Sequence, residues 1–216
     1  MATRRSPKLD KRQAVDTSLR LLNEVGLDGL SLRAIAKELD VQAPALYWHF
    51  KNKQELLDEM ATEMYRRMTA DSTLDPGLSW QDRLLTANRG LRTALLRYRD
   101  GAKVFSGSRF TGTEHAVGME AELRALTGAG FTLHQAVRAT TTAYLFTLGF
   151  VTEEQGVEPL PGERREGFDV AERAERLAGH PLAAAAGADL FQDYDRGFEE
   201  GLALLVDGIA ARYGIA

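Results

Sequence analysis

Residues Leu30 to Lys53 read LSLRAIAKELDVQAPALYWHFKNK, and this stretch decides the fold. Leu32, Ile35, Ala36 and Leu39 recur at i, i+3, i+4 and i+7, the apolar face of a helix. The pattern stops at Asp40-Val41 and restarts after Gln42. Ser31 is placed to cap the first of these helices, because its hydroxyl can accept from an orphan backbone N–H. Asp40 lies in the turn and tolerates the left-handed region, though less easily than glycine. Pro44 falls in the first turn of a second helix, a position that tolerates a missing N–H. That helix, about Ala43 to His49, is short and carries Tyr47, Trp48 and His49, more polar-tipped rings than a plain core helix holds. Helix, tight turn and short helix make the helix-turn-helix unit, whose second helix enters the major groove of DNA.

Outward from this unit the chain reads as all-α. An opening helix is expected from Asp10 to Val25, with Val15, Leu19, Leu22 and Val25 on its apolar stripe and Gly26 as a left-handed stop. Asn52-Lys53-Gln54-Glu55 resembles a capping box and opens a long helix with Leu56, Leu57, Met60 and Met64 on one side. The segment Asp71 to Ser79 is a turn-rich break containing Pro76-Gly77. Ser79 then caps a helix to about Arg97, and Asp100-Gly101 turns the chain again. Further helices are expected at about Thr113–Thr127, Thr132–Glu154, Asp169–Ala178 and Ala188–Tyr213. Gly156 to Gly167 is rich in Gly, Pro and charge and reads as a mobile loop. The last helix carries Leu190, Tyr194, Phe198, Leu202, Leu205 and Ile209 on one side. The resulting division is a DNA-binding head over residues 1–53 and a larger helical body over 54–216, linked by the helix that starts near 54.

Charge follows the same division. Residues 1–53 hold ten Lys/Arg against six Asp/Glu, a net of +4; residues 54–216 hold seventeen against twenty-five, a net of −8, which together give the chain's −4. A basic head on an acidic body is the asymmetry expected if only the head meets phosphate. The 216 residues contain no cysteine, which removes disulfides, thiol catalysis and cysteine-held zinc. No apolar run approaches the roughly 20 residues that span a bilayer, and MATRRSPKLDK lacks the apolar core of a signal peptide. A cytoplasmic protein with no membrane partner is the expectation. There is no Ser-His-Asp order, HExxH or phosphate loop, so no enzyme and no cofactor is expected. His115, His134 and His180 are scattered without ligand spacing, so no metal site is expected either.

Sequence recognition needs donors and apolar groups at base edges; affinity needs cations and N–H groups at phosphate. The DNA-facing set is Ser31, Arg33, Gln42, Ala43, Pro44, Ala45, Tyr47, His49, Lys51 and Lys53. Arg33 suits guanine O6 and N7, and Gln42 suits adenine. Ala43, Pro44 and Ala45 offer small apolar surfaces for a thymine methyl. Tyr47, His49, Lys51 and Lys53 read as phosphate ligands, and Trp48 as a packing ring. The polar arm Thr3 to Lys8 either tracks a groove or stays disordered without DNA.

The run from Leu9 to Asp58, LDKRQAVDTSLRLLNEVGLDGLSLRAIAKELDVQAPALYWHFKNKQELLD, resembles the DNA-binding domain of the tetracycline-repressor family. NEVGLDGLS followed by LYWHFKNK is more specific than a generic helix-turn-helix. In the body SWQDRL (79–84), RDGAKV (99–104), GFTL (130–133) and FTLGFVTEEQ (146–155) continue the likeness to about residue 155. The resemblance implies a homodimeric repressor whose two heads bind a palindromic double-stranded operator and whose body binds a small-molecule inducer that drives release. It also implies a four-helix dimer interface built by the last long helix and the one ending near Glu154.

Departures from the family's pattern fall in the expected ligand pocket. Where the resemblance implies two histidines and an asparagine at the drug, one histidine directly on magnesium, this chain has Phe105, Thr69 and Ala87. Phenylalanine cannot ligate a hard cation, so a ligand other than magnesium–tetracycline is expected. Arg109 still matches a pocket arginine, Phe110 stands for the expected proline, and Glu153 matches a carboxylate that serves the metal through water. The expected pocket residues are Leu91, Phe105, Arg109, Tyr144, Thr147 and Glu153. Two other functions fit the residues less well: a constitutive DNA-binding dimer without inducer, and an enzyme using the body pocket.

Overall fold

The computed structural model describes residues 10–70, 75 and 77–215. The arm from Thr3 to Lys8 and the turn at Pro76 lie outside them. Helix α1 (Lys11–Gly29) opens on Asp10, whose carboxylate accepts from the Arg12 amide. It is interrupted at Gly26 (φ 69°, ψ 176°), a conformation without Cβ strain only for glycine. Val25, the last residue before that break, is exposed rather than on the buried stripe with Val15, Leu19 and Leu22. Helices α2 (Leu32–Glu38) and α3 (Ala43–Tyr47) follow, joined through Asp40 at φ 52°.

Helix α4 (Lys53–Ala70) begins on a modified capping box. Asn52 Oδ1 accepts the Glu55 amide at 2.9 Å, while the Glu55 carboxylate takes the Lys51 amide at 2.8 Å instead of that of Asn52. The body contains α5 (Trp80–Leu96), α6 (Gly101–Phe105), α7 (Glu114–Gly128), α8 (Leu133–Val157), α9 (Val170–Arg176), α10 (Pro181–Ala185), α11 (Gly187–Phe191) and α12 (Tyr194–Tyr213). Ser79 caps α5, and Thr132 with Gln135 forms a full capping box on α8.

Three apolar clusters hold these helices. The first runs without interruption from Leu19, Leu22, Ile35, Leu46 and Phe50 through Leu56, Met60 and Met64 of α4 to Leu91, Leu95, Phe105 and Val151. Head and body therefore share one core across position 53, with α4 as the common element. Leu22, Ile35 and Leu46 are fully buried, each stabilising the fold by about 2 kcal/mol. A second cluster at the far end joins Trp80, Leu84, Leu126, Phe131, Val206 and Ile209; the Trp80 and Phe131 rings meet edge-on at 5.0 Å. A third places Ala143 of α8 against Phe198 and Leu202 of α12.

The body departs from the sequence expectation in three places. The final helix starts at Tyr194 rather than Ala188, because Asp193 takes a left-handed φ of 41° and caps it. Leu190 consequently lies on α11 and is exposed. Helix α8 continues through Gly156 to Val157, and the loop beyond it is tied down: Arg164 bonds Glu158 at 2.6 Å and the Phe168 carbonyl at 3.1 Å, and the Arg165 amide bonds the Val157 carbonyl at 2.9 Å. The short helices α6 and α10 have too few residues to show a period and were absent from the sequence reading.

Candidate functional site

Leu46 and Phe50, four residues apart, are fully buried and anchor α3 on the head's core. The opposite side of that turn must then face outward. Gln42 stands at the start of α3, exposed, and makes no capping bond; Pro44 and Tyr47 are exposed; Ala43 and Ala45 are half-buried. Ser31 Oγ accepts the Ala34 amide at 3.1 Å, and Arg33 projects into solvent two residues further on. His49 is half-buried with its ring 6.3 Å from that of Phe50. Lys51 is exposed beside Glu55.

One side chain differs from its sequence assignment, and another makes a bond the sequence does not announce. Trp48, read as a packing ring, is 89% exposed at the end of α3, so it belongs to the outward face. Lys53, read as a phosphate ligand, directs its ammonium to the Leu27 carbonyl at 2.7 Å and ties α4 to the end of α1. No sequence signal marks that bond, since its partner is a backbone oxygen 26 residues away.

The six expected pocket residues fall in different places. Leu91 and Phe105 are buried in the shared core, with Tyr144 packed half-buried against it. Burial raises the Tyr144 hydroxyl above its usual pKa. Thr147 is fully buried, and its hydroxyl lies 2.7 Å from Asn88 Oδ1 and 3.0 Å from the Ala143 carbonyl, so it serves packing between α5 and α8. The Arg109 side chain is exposed, while its amide donates to Asp58 of α4 at 3.0 Å. Two residues on, the Thr111 amide donates to Thr62 Oγ1 at 3.0 Å. The 106–113 loop is thereby bolted to the helix that carries the head.

Glu153 is exposed and lines a separate groove of about 460 Å³ with Leu145, Phe146, Phe150, Leu190 and Tyr194. Burial pushes the Tyr194 hydroxyl up to about 12, with Arg164 opposing and nearby glutamates adding to the rise. Behind the groove Arg92 forms a two-pronged pair with Glu154, at 2.7 and 2.9 Å, and a third bond to Asp195 at 2.7 Å. Its guanidinium also lies 5.1 Å from the centre of the Phe198 ring. A cleft of about 610 Å³ between α1 and α4, lined by Lys11, Glu59, Glu63, Arg66 and Arg67, contains none of the six.

The residues at the three positions where the resemblance implies drug-binding side chains, one of them on magnesium, do not fit that ion. The Phe105 and Ala87 side chains offer no ligand atom, and Thr69 offers a single hydroxyl oxygen, its proton directed to the Tyr65 and Arg66 carbonyls at 3.1 Å. Hard cations need several oxygens converging at about 2.1 Å. Among the described residues no group of three or more His, Asp or Glu is arranged to hold a metal ion, and no helix is long and apolar enough to cross a membrane.

Known proteins share this arrangement. Residues 14–60 match the family described as bacterial regulatory proteins, tetR family, and residues 74–213 match the tetracyclin repressor-like C-terminal domain. The tetracycline repressor protein class A from transposon 1721 of Escherichia coli is 42% identical over 207 residues, covering 95% of this chain and 92% of its own length. A crystal structure of a possible TetR family transcriptional regulator from Streptomyces coelicolor A3(2) superposes with a TM-score of 0.81 at 38% identity, covering 94% of this chain and 99% of that one. A TetR variant from Acinetobacter baumannii AYE in complex with minocycline gives 0.71 at 34% identity, covering 95% and 98%. With a helix-turn-helix head, a helical body and these relatives along nearly its whole length, the chain belongs to the tetR family of bacterial transcriptional regulators.

Proposed function

We propose that this chain is a transcriptional repressor that binds a palindromic operator as a homodimer and is released by a small molecule held in the body. The observation that carries the reading is the outward face of the head. Arg33, Gln42, Pro44, Tyr47 and Trp48 are exposed together on a unit whose inner face is fixed by Leu46 and Phe50. Arg33 and Gln42 would read base edges, and Tyr47, Trp48 and Lys51 would meet the backbone.

A second unpartnered surface supports the dimer. On α8 Leu133, Val137 and Leu145 are exposed, and Leu145 shares the groove with Gly149 and Glu153, one and two turns further on. Leu204 of α12 is 74% exposed. Two long helices with exposed apolar residues suit a four-helix interface.

The donor set at Phe105, Thr69 and Ala87 argues for an inducer other than magnesium–tetracycline. To cause release, the inducer must favour a body conformation whose heads cannot reach successive major grooves. The test is selection of binding sites from a random duplex pool with the full chain, followed by sedimentation of the complex. The reading requires a two-fold symmetric consensus occupied by two chains. A consensus without symmetry, bound by one chain, would refute it.

A further inference from the structure

Phe110 sits at the centre of an aromatic cluster between α4, α6 and α7. Its ring centre lies 5.1 Å from that of Tyr65, 5.4 Å from that of Phe105 and 5.1 Å from that of His115. The Phe105 contact is edge-on, and the other two are tilted. Such geometries let ring edges meet ring faces, which is how flat aromatics attract one another. Phe110 belongs to no helix, however. It is carried by the 106–113 loop, which has Gly107 at φ 74° on one side and Gly112 on the other. The loop's anchors, the Arg109 and Thr111 amides, flank Phe110 and are both held by α4 side chains, Asp58 and Thr62.

This cluster carries one unsatisfied polar group. His115 Nδ1 is buried with no hydrogen-bond partner among the described residues. A buried nitrogen without a protein partner leaves an acceptor that a polar group of a ligand could fill. Gly118, one turn further along α7, is where the Tyr65 hydroxyl comes closest: a Cβ there would stand 2.7 Å from it. The glycine thus lets Tyr65 close the wall. The cluster holds no converging set of oxygens of the kind a hard cation needs.

We propose that the inducer is a planar aromatic molecule that binds without a metal by taking the place of Phe110 among Tyr65, Phe105 and His115, with a hydroxyl or N–H donating to His115 Nδ1. This rests on the reading of the body as an inducer-binding domain and adds the ligand's chemical class and its point of entry. Phe110 acts as a resident occupant. When it swings out on its glycine-flanked loop, the Arg109 and Thr111 amides leave Asp58 and Thr62, and α4 is freed to move the head. A resident ring lowers apparent affinity by the fraction of molecules in which it has already left the site. Removing it must therefore tighten binding, the opposite of what deleting an ordinary contact residue does.

The probe is 2,6-dihydroxyanthraquinone, which is flat, carries hydroxyls at its edges and has none placed to chelate with a carbonyl. Its binding to the full chain is measured calorimetrically in EDTA, and its release of a labelled operator duplex by fluorescence anisotropy. Phe110→Ala is expected to bind it about tenfold more tightly than the unaltered chain, and His115→Ala to bind it more weakly. Phe110→Leu, which keeps the site filled with an apolar group, is expected to fall between and serves if the alanine variant does not fold. Equal or weaker binding by both Phe110 variants overturns the proposal. Release of operator by minocycline with magnesium, and not by the anthraquinone in EDTA, also overturns it while leaving the inducer reading intact. Binding of neither probe to any of the variants overturns it as well; if no compound of any class then displaces operator, the inducer reading falls with it.

Discussion

The Leu27 amide donates to the Asp100 carboxylate at 3.0 Å, joining the end of α1 to the corner between α5 and α6. Around this bond Asn23 spans the Arg97 carbonyl (3.1 Å) and the Arg99 amide (2.8 Å), and Arg99 reaches on to Glu163 at 2.5 Å. Asp100 holds a left-handed φ of 56° to make it. Burial on its own would raise the Asp100 pKa, but the Leu27 amide, Lys103 and the more distant charge of Arg165 outweigh it and hold the carboxyl below its ordinary 3.8.

Replacing Asp100 with Asn keeps a residue that tolerates the left-handed region and removes only the charge. The variant is expected to lose about 1 kcal/mol of stability at neutral pH, read from urea denaturation. A carboxyl with a depressed folded pKa stabilises the fold above its unfolded pKa, and the gain is lost as pH falls through the folded value. The gap between variant and parent should therefore be full at neutral pH and close below the ordinary 3.8. A gap that stays constant into that acid range would contradict the role of the charge.

Arg92 and Glu154 form a buried ion pair in the body, with side-chain exposures of 13% and 7%. Glu154→Gln leaves a buried guanidinium short of a partner and is expected to cost about 3 kcal/mol. The double replacement Arg92→Met with Glu154→Leu should recover most of that loss, since two apolar groups need no pairing. A double-mutant cycle in urea measures both. A single variant as stable as the parent would show that Asp195 alone satisfies Arg92.

Arg33 and Lys51 should separate base reading from backbone contact. Arg33→Ala is expected to cost about 1–3 kcal/mol on the selected operator and to relax preference at one position. Lys51→Ala is expected to weaken all duplexes alike and to reduce the slope of log K against log salt by about one. Binding isotherms on matched and mismatched duplexes over a salt series decide between them; equal loss on every sequence for both variants would contradict the assignment.

Lys53→Met tests the bond from its ammonium to the Leu27 carbonyl. Stability without DNA should fall by about 1 kcal/mol, because the carbonyl loses a charged donor. A pure phosphate ligand would weaken operator binding and leave the thermal midpoint of the free protein unchanged.

The head was legible because its signals are local. Ser31, Asp40 and Asn52 act within four residues of themselves, and each caps or turns the chain at the expected position. The long body helices showed in the spacing of their apolar residues, and ends marked by local caps, such as Ser79 for α5 and Thr132 for α8, showed as well; the start of α12 did not, because Asp193 turns left-handed there. The exposure of Trp48 runs against the tendency of large rings to be buried, and it follows from Leu46 and Phe50 claiming the inner face. The pocket residues were taken from the resemblance, which aligns positions and says nothing of which wall each faces. Thr147 turned out to be held by Asn88, and Glu153 opens onto the groove of α8, α11 and α12.

The chain has two tryptophans, Trp48 at 89% exposure in the head and Trp80 at 4% in the body. Acrylamide quenching of tryptophan emission therefore reports almost wholly on the outward end of α3. Titration with the selected palindromic duplex should shield Trp48, saturate at two chains per duplex, and lose affinity steeply with salt. Quenching that is unchanged by saturating duplex would contradict the claim that this face meets DNA.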